Sequence, residues 1–267
     1  MLKVGFIGGG NMALAMMGGM IKSGGFTPEN IIVSDANPGV LKSLGEKWAV
    51  NTTEDNRKAA QRAQVIFLAV KPQFYQNVID QVKDTVLADQ AKIIVTVAPG
   101  WTLSRIQNAF GAPCKIVRTM PNTPAFVGEG MTGVCHNELV TPAEVQQLCA
   151  LLGSFGQVEI LPENLSDAFS TLCGSSPAFV FMVIEAMADA AVREGFPRGQ
   201  AYRLASQAVL GSAKMVLELG MHPGELKDMV CSPGGSTIEG VKALEEKGMR
   251  AAFLEAIERT TAKAQKL

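Results

Sequence analysis

The sequence predicts two domains of different class: an α/β domain with a doubly wound, mostly parallel sheet, followed by an all-α domain. Three observations predict them. Short continuous apolar runs alternate with helix-length amphipathic segments as far as Leu161. A glycine-rich turn separates the first run from the first helix. From Pro162 onward the strand pattern stops and long helical segments take over. Alternating strands and helices argue a parallel sheet covered on both faces. The predicted boundaries are 1–162 for the first domain and 163–267 for the second.

Leu2 to Gly8 is predicted as a strand, and Asn11 to Lys22 as a helix that ends near Gly24 and Gly25. Ile31 to Val33 is a second strand, with a helix from Pro38 to Trp48. Val65 to Val70 and Ile93 to Val97 are apolar throughout, as strands with two covered faces are. Ile116 to Met120 and Met131 to Cys135 continue the sheet, and Val158 to Leu161 ends it. Helices fit at Gln73 to Val86, Leu103 to Phe110 and Pro142 to Leu152. Beyond Pro162, Ser175 to Arg193 is apolar nearly all round, except for Glu185, Asp189 and Arg193. Their spacing of four places them on one helical face. A helix with so narrow a polar stripe is expected to be buried on most sides. A second such helix spans Arg198 to Leu219. A domain of about 100 residues cannot bury two of them alone, so an interlocked helical homodimer is expected.

Composition narrows the function classes. The chain has 267 residues, 47% of them hydrophobic and 18% charged, with a net charge of −1. That supports a sizeable core and gives no basis for nucleic-acid binding through phosphate neutralisation. There is no polybasic membrane patch. Cys114, Cys135, Cys149, Cys173 and Cys231 are widely spaced, which reads as free thiols in a reducing compartment. With only His136 and His222 and no CxxC pair, no metal site is expected. The N-terminal segment has a signal-like apolar character, but Gly8, Gly9, Gly10 and Asn11 interrupt it. Leu172 to Val192 approaches membrane-span length, yet carries Gly174, Pro177, Glu185 and Asp189. It is read as a soluble buried helix, and the protein as cytoplasmic with no membrane partner.

Gly8-x-Gly10-x-x-Ala13 follows a predicted strand and opens a predicted helix, the context that a Rossmann-type dinucleotide fingerprint requires. Gly8 permits the tight turn, Gly10 lets backbone approach the pyrophosphate, and Ala13 keeps helix and strand close. The helix start offers free N–H groups and a positive dipole end to the phosphates. The second strand ends at Ser34-Asp35, about 20 residues beyond the turn, where an acidic side chain binds the ribose 2′-hydroxyl of NAD. No arginine follows at 36 or 37 to meet a 2′-phosphate. Asp35 also reads as a cap for the helix at Pro38. Val70-Lys71-Pro72 leaves the carboxyl end of a strand, where ligands bind in open α/β sheets. Met120-Pro121-Asn122-Thr123-Pro124 is a proline-stiffened polar loop suited to orienting a nicotinamide carboxamide, or an ordinary turn.

Two further elements lie in the helical region. Cys231-Ser232-Pro233-Gly234-Gly235-Ser236-Thr237 interrupts two helices. Ser236 and Glu239 read as a capping box, so the glycines lead to a helix start able to cradle a carboxylate. In Ser170-Thr171-Leu172-Cys173-Gly174-Ser175-Ser176-Pro177, Ser175 or Ser176 is expected to cap a helix with Pro177 in its first turn.

These residues resemble the Δ1-pyrroline-5-carboxylate reductase family. The signatures are Gly5 to Met12, Ala69-Val70-Lys71-Pro72, Met120 to Pro124, Gly174 to Ala178, and His222 to Asp228 running into Ser232 to Ile238. They occur in family order over nearly the whole chain. The resemblance implies reduction of the cyclic imine 1-pyrroline-5-carboxylate to L-proline by NADPH or NADH, the last step of proline biosynthesis. It implies a helical dimerisation domain and dimers assembled into a larger homo-oligomer. It makes Ile7, Gly8, Gly9, Gly10, Asn11, Met12, Asn56, Ala69, Val70, Lys71 and Pro72 cofactor contacts, beside Ser34, Asp35, Ala98, Gly100 and Asn122. Ser232, Gly234, Gly235 and Thr237 become the carboxylate and imine site, with Thr237 and Ser170 the candidate catalytic side chains. The chain departs from the family at Pro99, where relatives often have alanine, and at Cys173, where serine is common.

The chemistry accounts for an absence. No catalytic His, Lys or carboxylate pair stands out. Oxidising an alcohol needs a base for the hydroxyl proton, whereas a protonated imine already has an electrophilic carbon and mainly needs orientation. A β-hydroxyacid dehydrogenase, the rival enzyme, would need a lysine in the long helix, and none lies between Ser175 and Val192. The rival from another class is a dinucleotide-sensing protein without hydride transfer.

Overall fold

The computed structural model describes residues 2–264. In chain order its first part contains β1 (Val4–Ile7), α1 (Asn11–Lys22), β2 (Ile31–Ser34), α2 (Pro38–Trp48), β3 (Asn51–Thr53), α3 (Asn56–Arg62), β4 (Val65–Leu68), α4 (Tyr75–Leu87), β5 (Ile93–Thr96), α5 (Leu103–Phe110), β6 (Lys115–Met120), β7 (Gly130–His136), α6 (Pro142–Leu152) and β8 (Gly156–Ile160). Then follow α7 (Ser166–Phe169), a π-helical turn (Ser170–Ser175), α8 (Ser176–Arg193), α9 (Arg198–Leu219), α10 (Pro223–Val230), α11 (Ser236–Glu246) and α12 (Met249–Ala264). One compact unit comprises the described residues up to Ser175 together with 261–264, and a second runs Ser176–Thr260.

The first unit carries an eight-stranded sheet in the order β3-β2-β1-β4-β5-β6-β7-β8. Every pairing is parallel except β6 with β7, so the mostly parallel expectation holds. Strand order reverses direction between β1 and β4, which opens a crevice at their carboxyl ends. β1, β2, β4 and β5 are buried at every position because helices cover both faces. One face packs Phe6, Met16, Met20 and Phe155. The other packs Ile66, Tyr75, Ile79 and Ile106. Phe6 and Phe67 stack across β1 and β4 with centroids 4.8 Å apart, an arrangement contributing about 1 kcal/mol beyond burial. β3 and α3 were not foreseen. Their Asn51-Thr52-Thr53 and Asn56 to Arg62 carry too little apolar pattern, and only Ala59 and Ala60 are buried.

Within the second unit, α8 and α9 pack through Ala188, Ala201 and Ala205. Within this single chain the long apolar helix is covered on one stripe only, in keeping with the expectation that a domain of this size cannot bury it without a second copy. Ala188 is the one buried residue of α8 among the described residues, while Phe181 and Met182 are 62% and 66% exposed. Small side chains allow close approach of one neighbour, and a single neighbour covers only one stripe of an all-round apolar helix. By length and composition the helix over Glu163–Arg193 is also apolar enough to cross a membrane.

A correction concerns Ser175 and Ser176 as caps. α8 begins at Ser176 as a continuation of α7 and the π-turn, so it has no free helix start for a side chain to cap. Pro177 has no N–H for the carbonyl four residues back. A π-turn just before it relaxes the backbone where that bond is lost.

Candidate active site

The glycine turn is built as its spacing predicts. Gly8 has φ +105°, and a Cβ there would meet the Ala69 backbone at 2.8 Å. Gly8 N donates to Ser34 O at 2.7 Å, and Ala69 N donates to Ile7 O at 2.8 Å. Backbone bonds thus tie the ends of β1, β2 and β4 together, with no room for a side chain between them. Gly10 is exposed, and a Cβ there would meet nothing within 4 Å. It is the N-cap of α1 and has no side chain to satisfy the first turn, which contains no acidic residue. Free N–H groups and the positive helix end are therefore left for an anion.

Against this turn lies a cavity of about 400 Å³ lined by Gly8, Gly10, Ser34, Asp35, Asn56, Ala69, Val70 and Lys71. The Asp35 carboxylate accepts from Gly9 N and from Asn37 N, each at 2.8 Å. The alternative reading of Asp35 as the helix cap is corrected: Asn37 Oδ1 caps α2 by accepting from Gly39 N. The buried Ser34 hydroxyl turns inward to donate to Phe6 O at 3.4 Å. Asn56 Nδ2 donates to Gln81 Oε1 at 2.8 Å. Phe74, Asn77, Val78 and Gln81 also line the cavity and were missed. Asn77, Val78 and Gln81 lie on one side of the amphipathic α4 and Phe74 in the turn before it, and only the fold turns them toward the glycines.

Other expected contacts are not in the wall of this cavity. Ile7 is buried in the sheet, Asn11 is exposed at the start of α1, and Met12 packs on the core. Pro72 opens a 3₁₀ turn after Lys71. Ala98 N donates to Thr96 Oγ1 at 3.3 Å, and Gly100, at φ +74°, accepts from Arg105 Nη1 through its carbonyl. Tyr75 braces the same loops. Its hydroxyl donates to Leu68 O at 2.5 Å and accepts from Thr96 Oγ1 and Val97 N. Burial pushes this phenol up to about 12. Asn122 is buried with both ends of its amide engaged, donating to Cys173 O at 2.9 Å and accepting from Met131 N at 2.8 Å.

In the second unit, Gly235 N donates to Ser232 O at 3.0 Å, and Gly234 has φ +67°. Proline at the second position and a positive φ at the third are the signature of a type II turn. A Cβ on Gly235 would meet Ser232 Oγ at 2.4 Å, so a larger residue there would have to turn that hydroxyl away. The capping box is corrected. Gly235, not Ser236, is the N-cap of α11, and no side chain caps it. The turn brings the chain into helical geometry one residue early, leaving Glu239 one position too far on. Thr237 and Ser232 are exposed, and the N–H groups of the first turn stay open to a carboxylate. Ser170 lies in the π-turn of the first unit.

Neither histidine is poised for chemistry. His222 Nδ1 accepts from Gly224 N to cap α10, and His136 Nδ1 lies 2.9 Å from Asn137 O. Burial raises the thiols of Cys114, Cys135, Cys149 and Cys173, which makes them poor nucleophiles.

A glycine-turn crevice at the switch point of a doubly wound sheet defines an NAD(P)-dependent oxidoreductase of the Rossmann class. Residues 3–100 match the family model described as NADP oxidoreductase, coenzyme F420-dependent, and residues 163–267 match the one described as pyrroline-5-carboxylate reductase dimerisation. The chain is 48% identical to the pyrroline-5-carboxylate reductase of Escherichia coli K12, over 99% of this chain and 98% of that one. The solved pyrroline-5-carboxylate reductase of Coxiella burnetii superposes with a TM-score of 0.92 at 34% identity, covering 99% and 98% of the two chains. The pyrroline carboxylate reductase of Plasmodium falciparum, solved with NADP bound, gives 0.89 at 28% identity, covering 99% and 97%. The chain belongs to the pyrroline-5-carboxylate reductase family.

Proposed function

We infer that this protein reduces 1-pyrroline-5-carboxylate to L-proline with NAD(P)H, completing proline biosynthesis. The observation that carries this is the end-to-end match at 48% identity, which includes both the glycine turn and the Ser232 to Thr237 turn. The cavity fits the cofactor: Gly8 and Gly10 leave backbone room where side chains would stand, and α1 offers uncapped N–H groups. Bound NAD(P)H supplies a hydride.

The protein's own part is orientation. The first-turn N–H groups of α11, with Gly234, Gly235 and the Ser232 hydroxyl, receive the substrate carboxylate. The Thr237 hydroxyl hydrogen-bonds the ring nitrogen of a protonated imine, and Ser170 is the second candidate side chain that the family resemblance offers. No base is needed, because the imine carbon is already electrophilic, and the residues available suit that chemistry.

The exposed apolar faces of α8 and α9 support a homodimer through the helical region, with dimers joined into a larger homo-oligomer. The start of the dimerisation-family match at residue 163 supports a functional boundary at 162/163, a short way before the parting of the compact units. The reading is of a soluble, cytoplasmic enzyme.

The test is loss of reduced-nicotinamide absorbance on adding 1-pyrroline-5-carboxylate, with proline measured as product. Nucleotide binding without imine-dependent oxidation would leave the dinucleotide-sensing reading in its place.

A further inference from the structure

We propose that Asp35 sets the nucleotide preference of this chain, selecting NADH over NADPH. The inference rests on the cofactor reading above and deepens it. Asp35 follows β2 directly, beside the glycine turn and in the wall of the same cavity. At this point of a Rossmann domain the chain meets the adenosine ribose, whose 2′-oxygen is a hydroxyl in NADH and a phosphate in NADPH.

The carboxylate is held in place. Oδ2 accepts from Gly9 N and Oδ1 from Asn37 N, both at 2.8 Å. Turning the side chain away would break both bonds and leave a glycine-turn N–H without its acceptor. Each oxygen keeps a lone pair for a ribose hydroxyl. A phosphate at the same place brings about two further negative charges and no proton to donate at neutral pH.

No cationic side chain pairs with Asp35 among the described residues. Lys71 is the one cation among the described residues lining the cavity, and it leaves β4, not β2. Ala36 and Asn37 follow Asp35 where an arginine would have to stand. The Arg57 guanidinium on α3 donates through Nε to Gln81 O at 3.0 Å, and Asp55 beside it caps α3 with its own carboxylate. The charge presented along the β2 edge of the cavity is therefore negative.

The test is fluorescence titration of the purified protein with NADH and with NADPH, without imine. The expected result is a Kd for NADPH at least about tenfold above that for NADH. Asp35→Asn keeps one acceptor for Gly9 N while removing the charge, and Asp35→Ser removes charge and bulk. Both are expected to lower the NADPH-to-NADH ratio of Kd at least about tenfold, and retained NADH binding by Asp35→Asn reports that the turn is intact. Equal or tighter binding of NADPH by the unaltered protein overturns the inference, as does an unchanged ratio in both variants. Failure to bind either nucleotide overturns it together with the cofactor reading. NADH preference without imine reduction supports it and removes only the substrate assignment.

Discussion

Asn122 Nδ2 donates a 2.9 Å hydrogen bond to the carbonyl oxygen of Cys173, the residue four before Pro177. The asparagine supplies the donor that the proline lacks, while its Oδ1 holds Met131 N on β7. One buried amide thus joins the loop after β6, the start of β7 and the π-turn. Asn122→Ala is expected to destabilise the protein by about 1–3 kcal/mol in urea unfolding, because two part-buried backbone groups lose partners. Asn122→Asp keeps the Met131 bond and loses the Cys173 donor, so an intermediate loss is expected. Full stability in Asn122→Ala would show that the bonds do not matter.

Gly8 and Gly10 separate folding from binding. Gly8→Ala places a methyl 2.8 Å from the Ala69 backbone at φ +105°, and should cost at least about 2 kcal/mol of stability. Gly10 has φ −72° and open space around its Cα. Gly10→Ala should change stability by less than about 1 kcal/mol yet weaken NADH binding about tenfold or more. Paired urea and titration curves check both.

Tyr75 predicts a limit at alkaline pH. Burial raises its pKa from 10.0 to about 12, so the fold favours the neutral phenol. A raised pKa stabilises fully below the unfolded value and is lost as pH rises through the folded one. Stability should therefore fall across pH 10 to 12. Tyr75→Phe should flatten that part of the profile, while costing about 1–3 kcal/mol at neutral pH through lost bonds to Leu68 O, Thr96 Oγ1 and Val97 N. An unchanged alkaline slope would assign the loss to other groups.

Thr237→Ala is expected to lower kcat with 1-pyrroline-5-carboxylate about tenfold or more while leaving the Kd for NADH within about twofold. Thr237→Ser retains the hydroxyl and should recover most of the turnover. Unchanged kcat in the alanine variant would remove the residue from the chemistry.

Local signals carried the parallel sheet and the glycine turn. Val65 to Leu68 and Ile93 to Thr96 are apolar at each buried position, because strands covered on both faces have no polar side to show, apart from the hydrogen-bonded Thr96. Gly8 was readable because a positive φ beside a neighbouring strand admits no other residue. β3 and α3 were not readable, since a half-exposed edge strand and a short polar helix leave no periodic mark.

By itself the sequence determined that a dinucleotide turn opens the chain and that long helices end it, and it named the turns that are candidates for the chemistry. Only the tertiary structure decided what partners those residues have. It gave Asp35 to Gly9 and the cap of α2 to Asn37, moved the start of α11 to Gly235, and turned Asn122 onto the π-turn. It also left the apolar face of α8 open. The physical reason is reach: backbone propensity and apolar period act over a few neighbouring residues. A hydrogen bond between Gly9 and Asp35, or Asn122 and Cys173, exists only once the chain has brought distant segments within about 3 Å.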